Sequence, residues 1–278
     1  MNDDNFFIHT IFYDKQTRQL VPAGHIPLDN SCGNKFTYEA EPIYEALSKN
    51  KFPENAWISF LSPRLYEKTK LKYRDLKDAT SLLSNDTDIF LFSSHYDQAT
   101  YWINPWIQGE AHHPGLMKLS KDLAMNADYD LNLETFISTL KTTVYSHYFL
   151  AKPRFWREWQ RVVRIYMEMV NSSKTLMKLG TFHRGEISSI HAFVIERIPS
   201  MILANGGFES SFSVKLYEKQ YPEFDAKGEL LTKIENAKLQ FIKDRDMRYL
   251  QEFKKLVLCF ISRQDDHAKS LSESDTFD

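Results

Sequence analysis

Short apolar runs alternate along this chain with longer stretches whose apolar residues recur at helical spacing. Phe6 to Tyr13 (FFIHTIFY) is rich in β-branched and aromatic residues and predicts an opening strand. Val21 to Asn34 carries two Pro, two Gly and two Asn and predicts a long irregular loop. Glu41 to Leu47 predicts a short helix with Pro42 in its first turn. Ala56 to Leu61 (AWISFL) and Asp88 to Phe92 (DIFLF) are nearly continuous apolar runs and predict buried strands. Between them, Ser62-Pro63 opens the helical stretch RLYEKTKL, and Lys70 to Ser84 places Leu71, Leu76, Leu82 and Leu83 at helical intervals. Strand, helix and strand in that order predict a right-handed βαβ crossover in a largely parallel sheet.

Tyr96 to Ala127 reads as helix with a break near His113-Pro114-Gly115, and Thr142 to Ala151 (TTVYSHYFLA) as a further strand ended by Lys152-Pro153. Arg154 to Val170 is strongly amphipathic and predicts a long helix. Ser189 to Leu203 predicts another, bent at Pro199, with Gly206-Gly207 just beyond it. Glu229 to Ser262 predicts one or two long helices, and the tail 263–278 is polar and predicted to be disordered. Neither an internal repeat nor a linker composition interrupts the series. The expected fold is a single α/β domain over 1–262, with a mainly parallel central sheet and C-terminal helices. Ligands of open α/β sheets lie beyond the carboxyl ends of the strands. That rule selects the loop after the first strand, Ser62 to Lys68 and Ser93 to Gln98.

Composition narrows the class. The 278 residues are 42% hydrophobic and 26% charged, the balance of an ordinary globular chain. A formal net charge of −2 argues against electrostatic capture of nucleic acid, so no nucleic-acid partner is expected. Cys32 and Cys259, far apart and without a partner motif, point to a reducing compartment and away from a thiolate zinc site. The acidic start MNDDNFF lacks a leader pattern, and the apolar runs are too short to span a bilayer. A soluble cytoplasmic protein is expected. The aromatic share of 14% is high, and flat rings that are not in a core commonly stack on sugars or bases.

The densest polar cluster runs from Ser93 to Gly115. His95 and Asp97 stand just past a strand end, where a carboxylate pair can hold Mg²⁺ or Mn²⁺ against a diphosphate. One imidazole in that pair suits softer metals better, and the alternative is that both residues cap the following helix. Asp86-Thr87-Asp88 has the spelling of a metal-binding pair but precedes its strand, at the wrong end. His112 and His113 are adjacent, a spacing that rarely ligates one ion from a helix. One of them can donate to a phosphate or hydroxyl, or pack as a turn histidine on Trp106. In Lys152 to Trp159 (KPRFWREW), one Trp is expected in the core, while the other, Trp156 or Trp159, with Lys152 or Arg154 can meet a sugar or phosphate. Glu196, beside Arg197, can act as a general base on an acceptor hydroxyl or form an ion pair. No phosphate-binding glycine loop, dinucleotide fingerprint or nucleophile elbow is present. A basic face around Lys238–Lys255, beside Phe241, Phe253 and Leu256, can either rest on an anionic membrane at its inner cytoplasmic surface or simply be solvated.

Taken in order, the opening strand, AWISFLSPR at Ala56–Arg64, DIFLF from Asp88, the HHPG stretch, SHYFLAKPRFWREW at Ser146–Trp159 and FVIERIPSMILA at Phe193–Ala204 resemble a known group. These are glycosyltransferase-like proteins encoded with bacterial capsule and lipopolysaccharide genes, and the resemblance covers roughly Phe6 to Gly207. It implies a GT-A-like fold that binds a nucleoside-diphosphate sugar. It implies transfer of that sugar to a glycan or lipid-linked acceptor in cell-surface polysaccharide assembly, and it marks Lys152 and Glu196 as site residues. On this reading Asp29, Asn30, Ser62, Arg64, Lys68 and His95 bind the donor, with cations offsetting diphosphate charge. Asp97 or Glu196, the catalytic candidates, acts on the acceptor hydroxyl or on a metal, His95 and Asp97 are the candidates for Mn²⁺ or Mg²⁺, and His112, His113, Lys152, Trp156 and Arg197 face acceptor or phosphate. The sequence departs from the group in lacking an Asp-x-Asp pair after a strand. Two rivals stay open: a metal-assisted hydrolase built on His95, Asp97, His112 and His113, and a catalytically silent sugar-binding subunit of a polysaccharide-assembly complex.

Overall fold

The structure, a computed structural model, describes residues 5–33, 38–92, 95–183, 185–213, 216 and 224–274. The first half runs β1 (Phe6–Phe12), α1 (Lys15–Gln19), β2 (Ile26–Asp29), α2 (Ala40–Lys49), β3 (Trp57–Leu61), α3 (Leu65–Thr69), α4 (Tyr73–Thr80) and β4 (Ile89–Leu91). There follow α5 (Tyr96–Tyr101), α6 (Pro105–His112), α7 (Leu116–Asn126), β5 (Phe149–Ala151), α8 (Pro153–Asn171) and α9 (Lys174–Met177). The remainder is β6 (Gly180–His183), β7 (Glu186–Ser189), α10 (Ile190–Glu196), α11 (Ile198–Asn205), β8 (Ser210–Phe212), α12 (Phe224–Asp244) and α13 (Met247–Ser274).

One six-stranded sheet has the order β2-β1-β3-β5-β4-β8, and β6 and β7 form a separate antiparallel hairpin. Within the large sheet only β5 runs against the rest, paired antiparallel to β3 on one side and β4 on the other. The chain is therefore an α/β protein with a mixed central sheet. β3 and β4 are parallel as the apolar runs predict, but β5 separates them, so the crossover between them skips a position.

Three layers bury this sheet. The apolar stripe of α8 (Phe155, Trp156, Trp159, Val162, Val163, Tyr166, Val170) is buried against one face. Trp156 stacks on Phe149 at 4.9 Å between ring centroids and donates its indole N–H to the Ile58 carbonyl at 3.1 Å. A ring that fills a core and satisfies its one donor is costly to remove, about 3–5 kcal/mol for Trp to Ala. The other face packs Phe6, Ile8, Trp57, Phe90 and Tyr148 against Leu65, Leu71 and Leu76 of the α3–α4 region. A third cluster joins Tyr96 and Ala99 of α5 to Ile234 of α12 and Phe253 and Phe260 of α13.

Several expectations are corrected here. The segment read as an irregular loop contains β2, parallel to β1 with Thr10 opposite Pro27. A proline is tolerated because β2 is an edge strand with no outer partner. The strand predicted from Thr142 is real only over Phe149–Ala151, since Thr142 to Tyr148 is irregular and turns at the left-handed Ser146 (φ 56°). The helix expected over Tyr96–Ala127 breaks near His113-Pro114-Gly115 as read, with Gly115 (φ 97°) before α7, and once more where Asn104 caps α6 by accepting from the N–H groups of Trp106 and Ile107. Lys238, expected on a solvated basic face, is fully buried. Its ammonium donates to the Ala99 carbonyl at 2.9 Å and pairs with Glu235 at 3.3 Å. Phe253 is buried as well, so these two residues pack inside the protein, while Lys243, Lys254 and Lys255 stay exposed. The backbone of α13 continues past Ser262 to Ser274, as an established helix propagates into polar sequence more readily than it nucleates there. Among the described residues, no helix is long and apolar enough to cross a membrane.

Candidate functional site

Five parallel strands and one reversed strand bring a single set of loops together. The residues that follow β1, β3 and β4 lie at the same sheet edge as the residues that precede β5, because Leu91 at the end of β4 is paired with Phe149 at the start of β5. Tyr13, Ser62 to Lys68, His95 to Asp97 and Ser146 to Tyr148 therefore share that edge, joined by Glu39 just before α2 and Glu196 at the end of α10.

Glu39 is held from two sides. One oxygen accepts the Tyr13 hydroxyl in a short hydrogen bond, and the other lies 3.5 Å from Nδ1 of His147. Burial works to raise the Glu39 carboxyl, but the hydrogen bonds and charge of His147, the Tyr13 bond and the Lys68 charge outweigh it, leaving it below the usual carboxylate range. Tyr13 is pushed the other way, first by burial of its hydroxyl end and then by the Glu39 charge, so it keeps its proton and donates. The His147 side chain is 9% exposed, and its Nε2 has no hydrogen-bond partner among the described residues.

Glu196 is fixed by Ser146, whose main-chain N–H and hydroxyl both donate to the same Glu196 oxygen at 2.6 and 3.0 Å. The second oxygen stands 3.8 Å from Nη1 of Arg197. Ser146 reaches this geometry only in the left-handed region, with φ 56°, and Tyr38 beside Glu39 has φ 49°. Side chains with a Cβ pay roughly 1–2 kcal/mol for that conformation, a strain that collects at functional sites. Glu39, Ser146, His147, His183, Ser188 and Glu196 line one cavity of about 260 Å³. That is below the range of about 300–1,000 Å³ typical for sites that enclose a whole drug-sized ligand. It accommodates one compact polar group, with anything attached to that group extending along the strand ends.

Two cations act on this cluster. Lys68 lies with its ammonium 5.9 Å from the centre of the Tyr148 ring, and its charge acts on both Glu39 and His95. Arg64, its side chain 60% exposed, is 3.9 Å from Glu67. His95 immediately precedes α5, and burial lowers its pKa despite the opposing pull of Asp97 and Glu196. It stands there as a neutral imidazole at pH 7.

The remaining sequence-derived candidates divide. Asp29 ends β2 and accepts from the Ser31 N–H, while Asn30 donates to the Tyr38 carbonyl at 3.1 Å and so supports the segment that presents Glu39. Lys152 is not at this edge. Because β5 is reversed, Lys152 leaves the sheet at the far side, over the Trp57 ring, with its ammonium on the Asn85 carbonyl. Trp156 is in the core. Arg197 is 3% exposed and knots α10 to α6 through the Pro105 carbonyl at 2.7 Å and Gln108 at 2.5 Å. His113 packs not on Trp106 but face to face on Phe193 at 3.7 Å, with burial chiefly lowering its pKa to about 4. His112 is exposed beside Trp102.

Sequence reasoning missed Tyr13, Glu39, Ser146, His147 and Tyr148. Tyr13 directly ends the first strand, and the strand-end rule alone could have found it. The others depend on the reversal of β5. Among the described residues, no group of three or more His, Cys, Asp or Glu side chains is placed to hold a metal ion. A hard cation bound with a diphosphate needs only one or two protein carboxylates, phosphate oxygens completing its shell, and the strand-end pair that could serve is His95 with Asp97. A larger cavity, about 730 Å³, lies at the opposite sheet edge, where its lining residues Lys141 and Glu209 pair with each other at 3.5 Å.

No protein-family model, curated protein or solved structure matches this chain.

Proposed function

We propose that this chain is a sugar-nucleotide-dependent glycosyltransferase of GT-A-like architecture, acting on a glycan or lipid-linked acceptor in bacterial cell-surface polysaccharide assembly. The observation that carries the reading is that two fixed carboxylates, Glu39 and Glu196, line one sugar-sized cavity at the carboxyl ends of parallel strands, with the Lys68 charge acting on Glu39 and the Arg64 charge on its partner Tyr13. Ligands of open α/β sheets bind at that edge.

The donor diphosphate lies along Ser62 to Lys68, where Arg64 and Lys68 offset its charge as the nucleoside diphosphate departs. The sugar enters the cavity. Glu39, held ionised with both oxygens already engaged, accepts hydrogen bonds from sugar hydroxyls. Glu196 has the freer second oxygen and takes the proton of the attacking acceptor hydroxyl. Asp97 supports His95 at the start of α5, and Mn²⁺ or Mg²⁺ bound with the donor would engage that pair and supply further charge for the leaving group. The hydrolase alternative loses ground because His112 and His113 do not converge with His95 and Asp97 on a ligand group among the described residues.

The test is a thermal-shift screen against UDP-, GDP-, dTDP- and CMP-linked sugars, with and without Mn²⁺ or Mg²⁺. Ligand at one hundred times Kd adds about 2.7 kcal/mol of stability, which at about 2–4 °C per kcal/mol moves Tm by roughly 5–10 °C in a domain of this size. The reading expects a shift with one nucleotide class that Arg64→Ala and Lys68→Ala diminish. A flat screen on a cooperatively melting protein rejects it in favour of a silent subunit.

A further inference from the structure

The β6–β7 hairpin has two faces of opposite character. Register pairs Thr181 with Ser188 and His183 with Glu186 on one face, and Phe182 with Ile187 on the other. The first face turns inward. Thr181 is buried and lies 3.3 Å from Nδ1 of His113, His183 stands 5.0 Å from the Phe193 ring, and His183 and Ser188 line the cavity that holds Glu39 and Glu196.

The second face turns out. Phe182 is 70% exposed and Ile187 83% exposed, side by side across the two strands. Met177 and Leu179, just before β6, are exposed as well, and Lys174 and Lys178 flank them on the surface. Glu186, the acidic residue of β7, pairs with His183 in the other register, though its side chain is exposed near the turn. The base of the hairpin is tied to the helices around it, since His191, just after β7, bridges Tyr166 of α8 at 2.6 Å and the Leu176 carbonyl at 2.9 Å.

We propose that the outer face of this hairpin, with Lys174 and Lys178, docks on an anionic lipid bilayer and holds the mouth of the Glu39–Glu196 cavity at the membrane surface. Exposed aromatic and aliphatic side chains enter the headgroup–acyl boundary, and neighbouring lysines meet anionic headgroups, each contributing roughly fivefold in affinity. The placement suits a lipid-linked acceptor, a link that rests on the glycosyltransferase reading; membrane docking itself does not.

Flotation of the full chain with phosphatidylcholine vesicles, with and without phosphatidylglycerol and in the absence of nucleotide, tests it. The chain is expected to float with the anionic vesicles and less with the neutral ones. Phe182→Ser with Ile187→Ser should abolish flotation, and Lys174→Ala and Lys178→Ala should each weaken it about fivefold, all with Tm unchanged because these side chains are solvent-facing. No flotation at low salt, or undiminished flotation of the Phe182→Ser/Ile187→Ser protein, overturns the proposal. So does conversion of a dimer to a monomer by that pair, which would make the face a self-association surface. A flat nucleotide screen with intact flotation rejects only the glycosyltransferase reading, and a nucleotide shift without flotation rejects only the docking surface.

Discussion

Ser146 and Glu196 meet through two hydrogen bonds to a single carboxylate oxygen, and the serine pays for them with a left-handed backbone (φ 56°). The N–H arm survives any substitution, whereas the hydroxyl arm does not. Ser146→Ala should lose roughly 0.5–1.5 kcal/mol for the missing bond while keeping the backbone strain. Ser146→Gly loses the same bond but relieves the strain, so it should be the more stable of the two. Urea denaturation of both variants checks the order. If Ala is the more stable, the strain assigned to Ser146 is absent.

Glu39 gives a sharper test of the site. Glu39→Gln preserves shape but converts an acceptor of two hydrogen bonds into a group that must also donate, next to the Tyr13 hydroxyl and His147. If the chain is the glycosyltransferase proposed above, transfer should fall by about 10²-fold or more, comparable to loss of a preorganised polar group in an active site. Donor binding measured by thermal shift should persist where the diphosphate contacts dominate. Wild-type turnover in this variant would remove Glu39 from the machinery.

The carboxylate also makes stability depend on pH. Its folded pKa lies below the ordinary value, so the unfolded chain binds the proton more readily. The contribution is present above the unfolded pKa and is lost as pH falls through the folded one. In the Glu39→Gln protein the loss of stability on acidification should be shallower in that acid window.

Three buried histidines act higher on the pH scale. Burial is the leading cause that lowers His9, His25 and His113 to about 4 each. The unfolded chain takes up their protons near 6.5, so each stabilises the fold above that value and ceases to do so as pH falls toward 4. The slope reaches up to about 1.4 kcal/mol per pH unit for each histidine. His9 stacks on Phe60 at 4.6 Å, and His9→Phe should flatten the melting profile between pH 6.5 and 4. An unchanged slope would show that His9 does not titrate with unfolding.

Lys238 and Glu235 form a buried pair whose members differ in their other contacts. Burial lowers the Lys238 pKa, and the Glu235 carboxylate opposes it. Glu235 also accepts the Leu140 N–H at 2.7 Å, tying α12 to the loop before β5. Lys238→Met leaves that carboxylate buried without its cation and should cost about 3–5 kcal/mol. Lys238→Met combined with Glu235→Gln should cost less than the single change. Additive losses in a double-mutant cycle would contradict the coupling.

Much of this was readable in the sequence. Continuous apolar runs reported β1, β3 and β4, helical spacing reported α8, and the strand-end rule located Ser62 to Lys68 and His95 to Asp97. Glu196 was singled out before any geometry. What escaped were elements whose identity is decided by neighbours. β2 is four residues at an edge, with a proline in it, and β5 is three residues whose direction no local pattern encodes. The resemblance and the KPRFWREW cluster pointed to Lys152 and Trp156 at the end of β5, whereas the reversed strand gathers the candidate polar cluster at its beginning, around Ser146 and His147. Glu39 and His147 are far apart in sequence, and only the closed sheet makes them partners.

The reversed β5 also governs how such a chain can mature. Before it is made, β2, β1 and β3 can pair among themselves, but β4 has no neighbour, since β3 never touches it and β8 is still to come. A nascent chain emerging from the ribosome thus carries two raw sheet edges, apolar on both faces, until Phe149–Ala151 slots between them. Such late, long-range closure slows folding and exposes adhesive strands meanwhile. Truncations that stop short of Ala151 should aggregate rather than populate a half-built domain.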